Sequence, residues 1–231
     1  MRSLFHSVAY HATRFAAKCL FGCVAHIRVL HREKGDRPGP FILAANHISH
    51  FDPPIIATVV RRKVDWMAMA EFFPYPVLGQ ILRAINCFPA DRNRADRGTI
   101  RTALDRLKRR RIVGMFPEGG IRDGPNSVLE GAALRPGVST LAHMAGVSIL
   151  PCVILGSDRL YSKGNWRPWR RTPIWISFGE PIRQFPEMER STARRRLKQE
   201  LATAFLELYQ EMQEAFSLTP DDLPKPPKER M

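Results

Sequence analysis

His47 and Asp52 stand five positions apart in the stretch Ala44-Ala45-Asn46-His47-Ile48-Ser49-His50-Phe51-Asp52-Pro53-Pro54. An imidazole titrates near neutral pH, so it can take a proton from an attacking hydroxyl and return it to a leaving group. A carboxylate bonded to its other ring nitrogen fixes the tautomer and stabilises the imidazolium. The same residues also fit a plain turn, with Asp52 as the N-cap of a helix opened by Pro53 and Pro54. Ser49 could serve as a nucleophile, but the stretch offers it no separate base; its alternative is a loop hydrogen bond. His50, three residues from His47, would need further ligands to make a metal site, and none stands at a telling spacing. No metal is therefore expected.

The elements around this pair follow from pattern. Phe41-Ile42-Leu43-Ala44-Ala45, introduced by Pro38-Gly39-Pro40, reads as a short buried strand. His47 then lies just past a strand end, where open α/β proteins place ligand chemistry. Further strands are expected at residues 26–30, 64–69, 112–116, 148–155 and 174–178, with a short strand or a loop at Asn86–Arg92. Helices are expected at 53–60, 75–85, around Ile100–Leu107 and at 138–145. A long closing helix, capped near Ser191 or Thr192, carries Leu197, Leu201, Ala204, Leu208 and Met212. Strands alternating with helices predict an α/β domain with a mostly parallel, mixed sheet flanked by helices.

The N-terminal region is different in kind. Phe5, Val8, Ala12, Phe15, Ala16, Cys19, Leu20, Cys23 and Ile27 repeat at helical spacing, with His11, Arg14 and Lys18 opposite. Such an amphipathic helix can lie in a membrane interface or pack on its own domain. No stretch reaches the roughly 18 apolar residues of a spanning helix, and the basic residues interrupt any signal-peptide core. Thirty-six Lys and Arg against 22 Asp and Glu give a net charge of +14. That balance favours polyanions, anionic membranes or phosphorylated substrates. With 44% hydrophobic and 25% charged residues, wholesale disorder is excluded. Cys19, Cys23, Cys87 and Cys152 lack paired spacing and read as reduced, buried thiols. The tail from Pro220, with Pro224-Lys225-Pro226-Pro227-Lys228, reads as disordered.

Three segments stand in order: Asn46-His47-Ile48-Ser49-His50-Phe51-Asp52, Phe88-Pro89-Ala90-Asp91-Arg92 and Phe116-Pro117-Glu118-Gly119-Gly120-Ile121-Arg122. A fourth, Val147-Ser148-Ile149-Leu150-Pro151, follows Leu134-Arg135-Pro136-Gly137, and Gly179-Glu180-Pro181-Ile182 ends the last strand. This series resembles the glycerolipid acyltransferases, the family of 1-acyl-sn-glycerol-3-phosphate (lysophosphatidate) acyltransferases and their relatives, from about Phe41 to Ile182. The resemblance implies His47 as general base and Asp52 as its orienting partner, with direct transfer and no acyl-enzyme. It also implies substrate binding by Arg92, Glu118, Gly119, Arg122, Arg135 and Pro151, the last shaping an acyl or acceptor pocket. Arginines suit the task, because a planar guanidinium grips phosphate oxygens at two points. One departure stands out: Gly120 and Ile121 intervene where the family often has Thr-Arg directly after Phe-Pro-Glu-Gly.

The implied organisation is an N-terminal helical region (1–30), an acyltransferase domain (31–218) and a tail (219–231). The implied reaction moves a fatty acyl chain from acyl-CoA or acyl carrier protein to the free hydroxyl of a lysophospholipid, lysophosphatidate first among acceptors, giving phosphatidate. The thioester is a co-substrate, and no further cofactor is expected. The expected location is the cytoplasmic face of a membrane with anionic lipids, or the cytoplasm. Arg159-Leu160-Tyr161-Ser162-Lys163-Gly164-Asn165-Trp166-Arg167-Pro168-Trp169-Arg170-Arg171 suits a headgroup-level contact, single-stranded nucleic acid, or an ordinary loop. Two other readings remain open: a CoA-independent transacylase, and a non-catalytic basic protein that coats membrane or nucleic acid.

Overall fold

The structure, a computed structural model, describes residues 2–91, 97–222 and 224, the side chains of 2–7 and 221 excepted. Its strands are β1 (Ala25–Leu30), β2 (Phe41–Ala45), β3 (Val64–Met69), β4 (Phe88–Ala90), β5 (Ile112–Met115), β6 (Ser148–Leu155) and β7 (Thr172–Phe178). Its helices are α1 (Arg2–Val24), α2 (Arg32–Gly35), α3 (Asp52–Val59), α4 (Pro76–Ala84), α5 (Arg97–Lys108), α6 (Gly137–Ala145) and α7 (Arg190–Ala215). The strands form one sheet in the order β1-β7-β6-β2-β5-β3-β4.

Every neighbouring pair is parallel except β6 with β7. That exception has a simple cause. The connection from β6 to β7 is a run of short 3₁₀ turns, Ser157–Tyr161 and Lys163–Trp166, not a crossover helix. Without a crossover the chain must return antiparallel. The mixed, mostly parallel α/β architecture expected from the pattern is the one observed.

The central strands are apolar throughout because helices cover both faces of the sheet. Along β2, Ile42 and Ala44 point to one side and Phe41, Leu43 and Ala45 to the other. The first face packs against Leu141 and Ala142 of α6 and Leu197, Leu201 and Phe205 of α7. The second packs against Phe21 and Val24 of α1 and Ile55, Ile56 and Val59 of α3. The His47 loop is thus anchored by a strand with no exposed side chain.

Several expectations are corrected. The α1 apolar stripe, for which the pattern allowed either a membrane interface or the domain itself, faces away from the domain: Val8, Phe15 and Leu20 are exposed, as are Ala12, Ala16, Cys19 and Cys23. The packed face is Tyr10, Thr13, Arg14, Ala17, Phe21 and Val24, equally helical in spacing but interrupted by polar residues. Arg14, on the side opposite the apolar stripe, donates to the Val60 and Arg61 carbonyls, both at 2.6 Å, at the end of α3. Cys19 and Cys23 are therefore exposed, while Cys87 and Cys152 are buried as expected. The closing helix is capped by Glu189, whose carboxylate accepts from the Ser191 and Thr192 N–H groups. The start of the tail is held: Pro220–Asp222 is a 3₁₀ turn, and Asp222 pairs with Arg159 at 3.0 Å. Disorder expected further on falls mostly on residues 223 and 225–231, outside the described residues.

Candidate active site

Three adjacent parallel strands, β6, β2 and β5, end at the same edge of the sheet. Beyond β2 comes the His47 loop, beyond β5 comes Phe116-Pro117-Glu118-Gly119, and beyond β6 come Gly156 and Ser157. Segments more than 100 residues apart in sequence meet there through strand order alone. The edge matches the general rule for open α/β sheets, in which ligands gather at the carboxyl ends of strands.

Asn46 ties the loop down first. Its side-chain amide donates to the Ile154 carbonyl at 3.0 Å, and its oxygen accepts from the Ile154 N–H at 2.8 Å. It extends the β2–β6 ladder by one residue through a side chain. His47 follows, with Nδ1 2.8 Å from Asp52 Oδ2. The same oxygen accepts from the Ile48 N–H at 2.8 Å and the Ser49 N–H at 2.9 Å. Oδ1 accepts from the Ser157 hydroxyl. Asp52 is fully buried, and these donors compensate its desolvated charge. Its carboxylate therefore does not cap α3, as the local sequence suggested; it turns back to bind the loop before it.

This geometry sets the imidazole's tautomer. A carboxylate accepts only, so in the neutral ring Nδ1 carries the hydrogen and Nε2 is left as the acceptor. Nε2 has no hydrogen-bond partner among the described residues. The ring stacks on Phe116, centroids 3.9 Å apart at 15°, and Phe116 stacks in turn on Trp66 at 4.9 Å and 12°. The imidazole is thereby fixed in plane by π contact and in rotation by Asp52. Ser49 is buried and its hydroxyl accepts from the Phe51 N–H at 3.1 Å, a loop bond.

Glu118 reaches into the same loop. Oε2 accepts from the His47 N–H at 2.6 Å, and Oε1 accepts from the Val128 N–H at 2.8 Å and the Ser127 hydroxyl at 3.1 Å. Burial raises its pKa against the pull of those donors and of His47. Its two oxygens are engaged by protein groups, so the geometry gives Glu118 the work of joining two loops, where the sequence pointed to substrate.

Arg122 and Arg135 are brought beside this brace. The Arg122 N–H donates to the His47 carbonyl at 2.8 Å, and the Arg135 N–H donates to the Pro117 carbonyl at 2.9 Å. Neither guanidinium has an ion-pair or hydrogen-bond partner among the described residues. Gly119 has φ +71°, and a β-carbon there would collide with the Arg135 guanidinium, so glycine lets that side chain lie across the turn. Two expected residues remain. Arg92 lies outside the described residues. Pro151 is buried within β6, opposite Ala44, with its carbonyl accepting from the Gly179 N–H at 2.9 Å. It stands where the β6–β7 ladder ends, and it lines neither of two surface grooves, of about 560 and 470 Å³.

A histidine with one nitrogen locked on a buried carboxylate and the other unpartnered among the described residues can move a proton at Nε2. The sequence profile of the acyltransferase family matches residues 26–155, a span that runs from β1 to the end of β6 and includes all of these loops except Ser157. The chain belongs to the acyltransferase family. As a member it is an acyltransferase enzyme. The acyltransferase is 26% identical over 187 residues to the 1-acyl-sn-glycerol-3-phosphate acyltransferase of Bacillus subtilis, an alignment covering 77% of this chain and 87% of that one. Its fold is shared with the crystal structure of the 1-acyl-sn-glycerophosphate (LPA) acyltransferase PlsC of Thermotoga maritima, with a TM-score of 0.65 and 24% identity. That superposition covers 90% of this chain and 83% of the other.

Sequence reasoning overlooked Ser157, and gave Asn46 no role. Asn46 sits inside a recognised motif, but its partner Ile154 is visible only once β6 lies beside β2. Ser157 had no local signal at all.

Proposed function

We propose that the acyltransferase transfers a fatty acyl chain from an acyl-CoA or acyl carrier protein thioester to the free hydroxyl of lysophosphatidate, giving phosphatidate. The observation that carries this reading is the His47–Asp52 pair, Nδ1 on carboxylate and Nε2 unpartnered. The acceptor hydroxyl attacks the thioester carbonyl as Nε2 takes its proton. The tetrahedral intermediate then collapses, the carbon–sulfur bond breaks, and the imidazolium returns the proton to the departing thiolate. The products are an ester and a free thiol, with no covalent enzyme intermediate. Asp52 stabilises the imidazolium while it lasts.

Arg122 and Arg135 support a phosphorylated acceptor, since both guanidiniums lack partners among the described residues beside the His47 loop. The name of the Bacillus relative points the same way. A surface contact with anionic lipid fits the exposed apolar row of α1 and the charge of +14. No helix among the described residues is long and apolar enough to cross a membrane.

The test is acyl transfer to lysophosphatidate and to other lysophospholipids, with acyl-CoA or acyl carrier protein thioester as donor, followed by mass spectrometry. Loss of a general base lowers rates by roughly 100- to 10,000-fold, so His47→Ala should fall by that order with the fold intact. Equal rates in both proteins would remove His47 from the chemistry. Product formed without any thioester would point to a transacylase.

A further inference from the structure

The chain that leaves β6 makes an abrupt turn. Gly156 has φ +83°, and a β-carbon there would collide with the Pro173 carbonyl oxygen, so only glycine turns the strand at that point without strain. The turn delivers Ser157, fully buried, beneath Asp52, where its hydroxyl donates to Oδ1. At the other end of the same 3₁₀ turn, the Tyr161 hydroxyl accepts from the His50 N–H at 2.9 Å. One five-residue segment therefore holds the His47–Asp52 loop at two points.

We propose that Ser157 is a positioning residue for acyl transfer, acting through Asp52 and never touching substrate; the proposal rests on the reading of His47 as base and Asp52 as its partner. A carboxylate is a two-fold rotor about its last bond. Three donors crowd Oδ2, namely His47 Nδ1 and the Ile48 and Ser49 N–H groups. Among the described residues, the Ser157 hydroxyl is the donor to Oδ1 of that buried group. With it present, both oxygens are satisfied and Oδ2 stays in line with Nδ1. Without it, a buried charged oxygen lacks a donor. The carboxylate then gains by rotating, so that the Ile48 and Ser49 donors are shared between its oxygens, and Oδ2 leaves the line of Nδ1. The imidazole loses its fixed orientation, and the proton transfer slows while substrate binding does not.

The experiment measures kcat and KM for both substrates in wild type, Ser157→Ala, Ser157→Thr, Asp52→Asn and the double variant Ser157→Ala/Asp52→Asn, with thermal melting of each. Loss of one hydrogen bond to a charged group corresponds to roughly 10- to 100-fold in rate. Ser157→Ala should lower kcat by that factor with both KM values unchanged, and Ser157→Thr, which keeps the hydroxyl, should restore most of it. The double variant should be no slower than Asp52→Asn, since the two residues act as one unit. Losses that multiply, a rise in KM, or an unchanged rate in Ser157→Ala would each overturn the proposal. If Ser157→Ala does not fold, Ser157→Cys, close in size but a weak donor, takes its place with the same expectation. A wild-type rate in Asp52→Asn and His47→Ala would instead overturn the base assignment itself, a result distinguishable from failure at Ser157 alone.

Discussion

At the scale of residues, the site is a set of buried carboxylates holding backbone in place as much as holding the His47 imidazole. Asp52 gathers the His47, Ile48 and Ser49 donors on one oxygen, and Glu118 joins the His47 N–H to Val128 and Ser127. Glu118→Gln separates bracing from substrate recognition. A glutamine has one acceptor oxygen, so its NH₂ must face either the His47 N–H or the Val128 N–H, donor against donor. An unsatisfied buried group costs about 1–3 kcal/mol. The variant should melt lower by a corresponding amount and lose kcat as the His47 loop loosens. An unchanged melt with a raised KM for the acceptor would return Glu118 to the substrate. His47 and Asp52 were legible in sequence because their pairing is local, five residues apart. Ser157 was not, because it lies 105 residues from Asp52 and reaches it only through the adjacency of β2 and β6.

At the scale of elements, the strands were legible because central parallel strands must be apolar on both faces, and β2, β5 and β6 have no polar gap. The orientation of α1 was not. Its buried face includes Arg14, which donates to carbonyls at the end of α3, and hydrophobicity alone left the choice between a lipid surface and the domain open. A buried ion cluster in β3 escaped notice for a similar reason. Asp65 has no exposed surface and meets Arg111 at 2.6 Å and Arg106 at 3.1 Å. Burial outweighs both arginines and pushes Asp65 up to about 6, and it pushes Arg111 down. The folded state thus binds a proton between about pH 4 and 6 that the unfolded chain does not. The penalty for keeping Asp65 charged is fully present above pH 6 and is relieved as pH falls through that range. Relative to Asp65→Asn, wild type should therefore gain stability on acidification from pH 7 to 4, by roughly 3 kcal/mol at most. Denaturant unfolding of the two proteins across that range checks it. A relative loss by wild type would mean that the arginines outweigh burial.

At the scale of the whole molecule, charge and exposed apolar surface have to be taken together. Helix α4, which packs against α1, leaves Val77, Leu78 and Ile81 exposed, with Tyr75 just before it. Trp169 is exposed in the arginine-rich loop, whose Trp166 packs edge-on against Phe51 of the His47 loop. Phe15 on α1 is 69% exposed and Val77 on α4 is 73% exposed, so changing either removes little internal packing. A lipid surface would cover these rings and chains while the excess arginines meet anionic headgroups. Each large apolar side chain buried is worth about 1.5–3 kcal/mol. The variant Phe15→Asp/Val77→Asp should then bind anionic vesicles at least about 100-fold more weakly than wild type. It should keep its melting temperature, and its rate on a short-chain acceptor dissolved as monomers should be unchanged. Binding by wild type should fall with salt, because part of it is electrostatic over a Debye length near 10 Å. Vesicle binding unaffected by the double substitution would remove α1 and α4 from the membrane contact. An equal loss of rate on the monomeric acceptor would place these side chains in the catalytic domain's own function and not at the lipid.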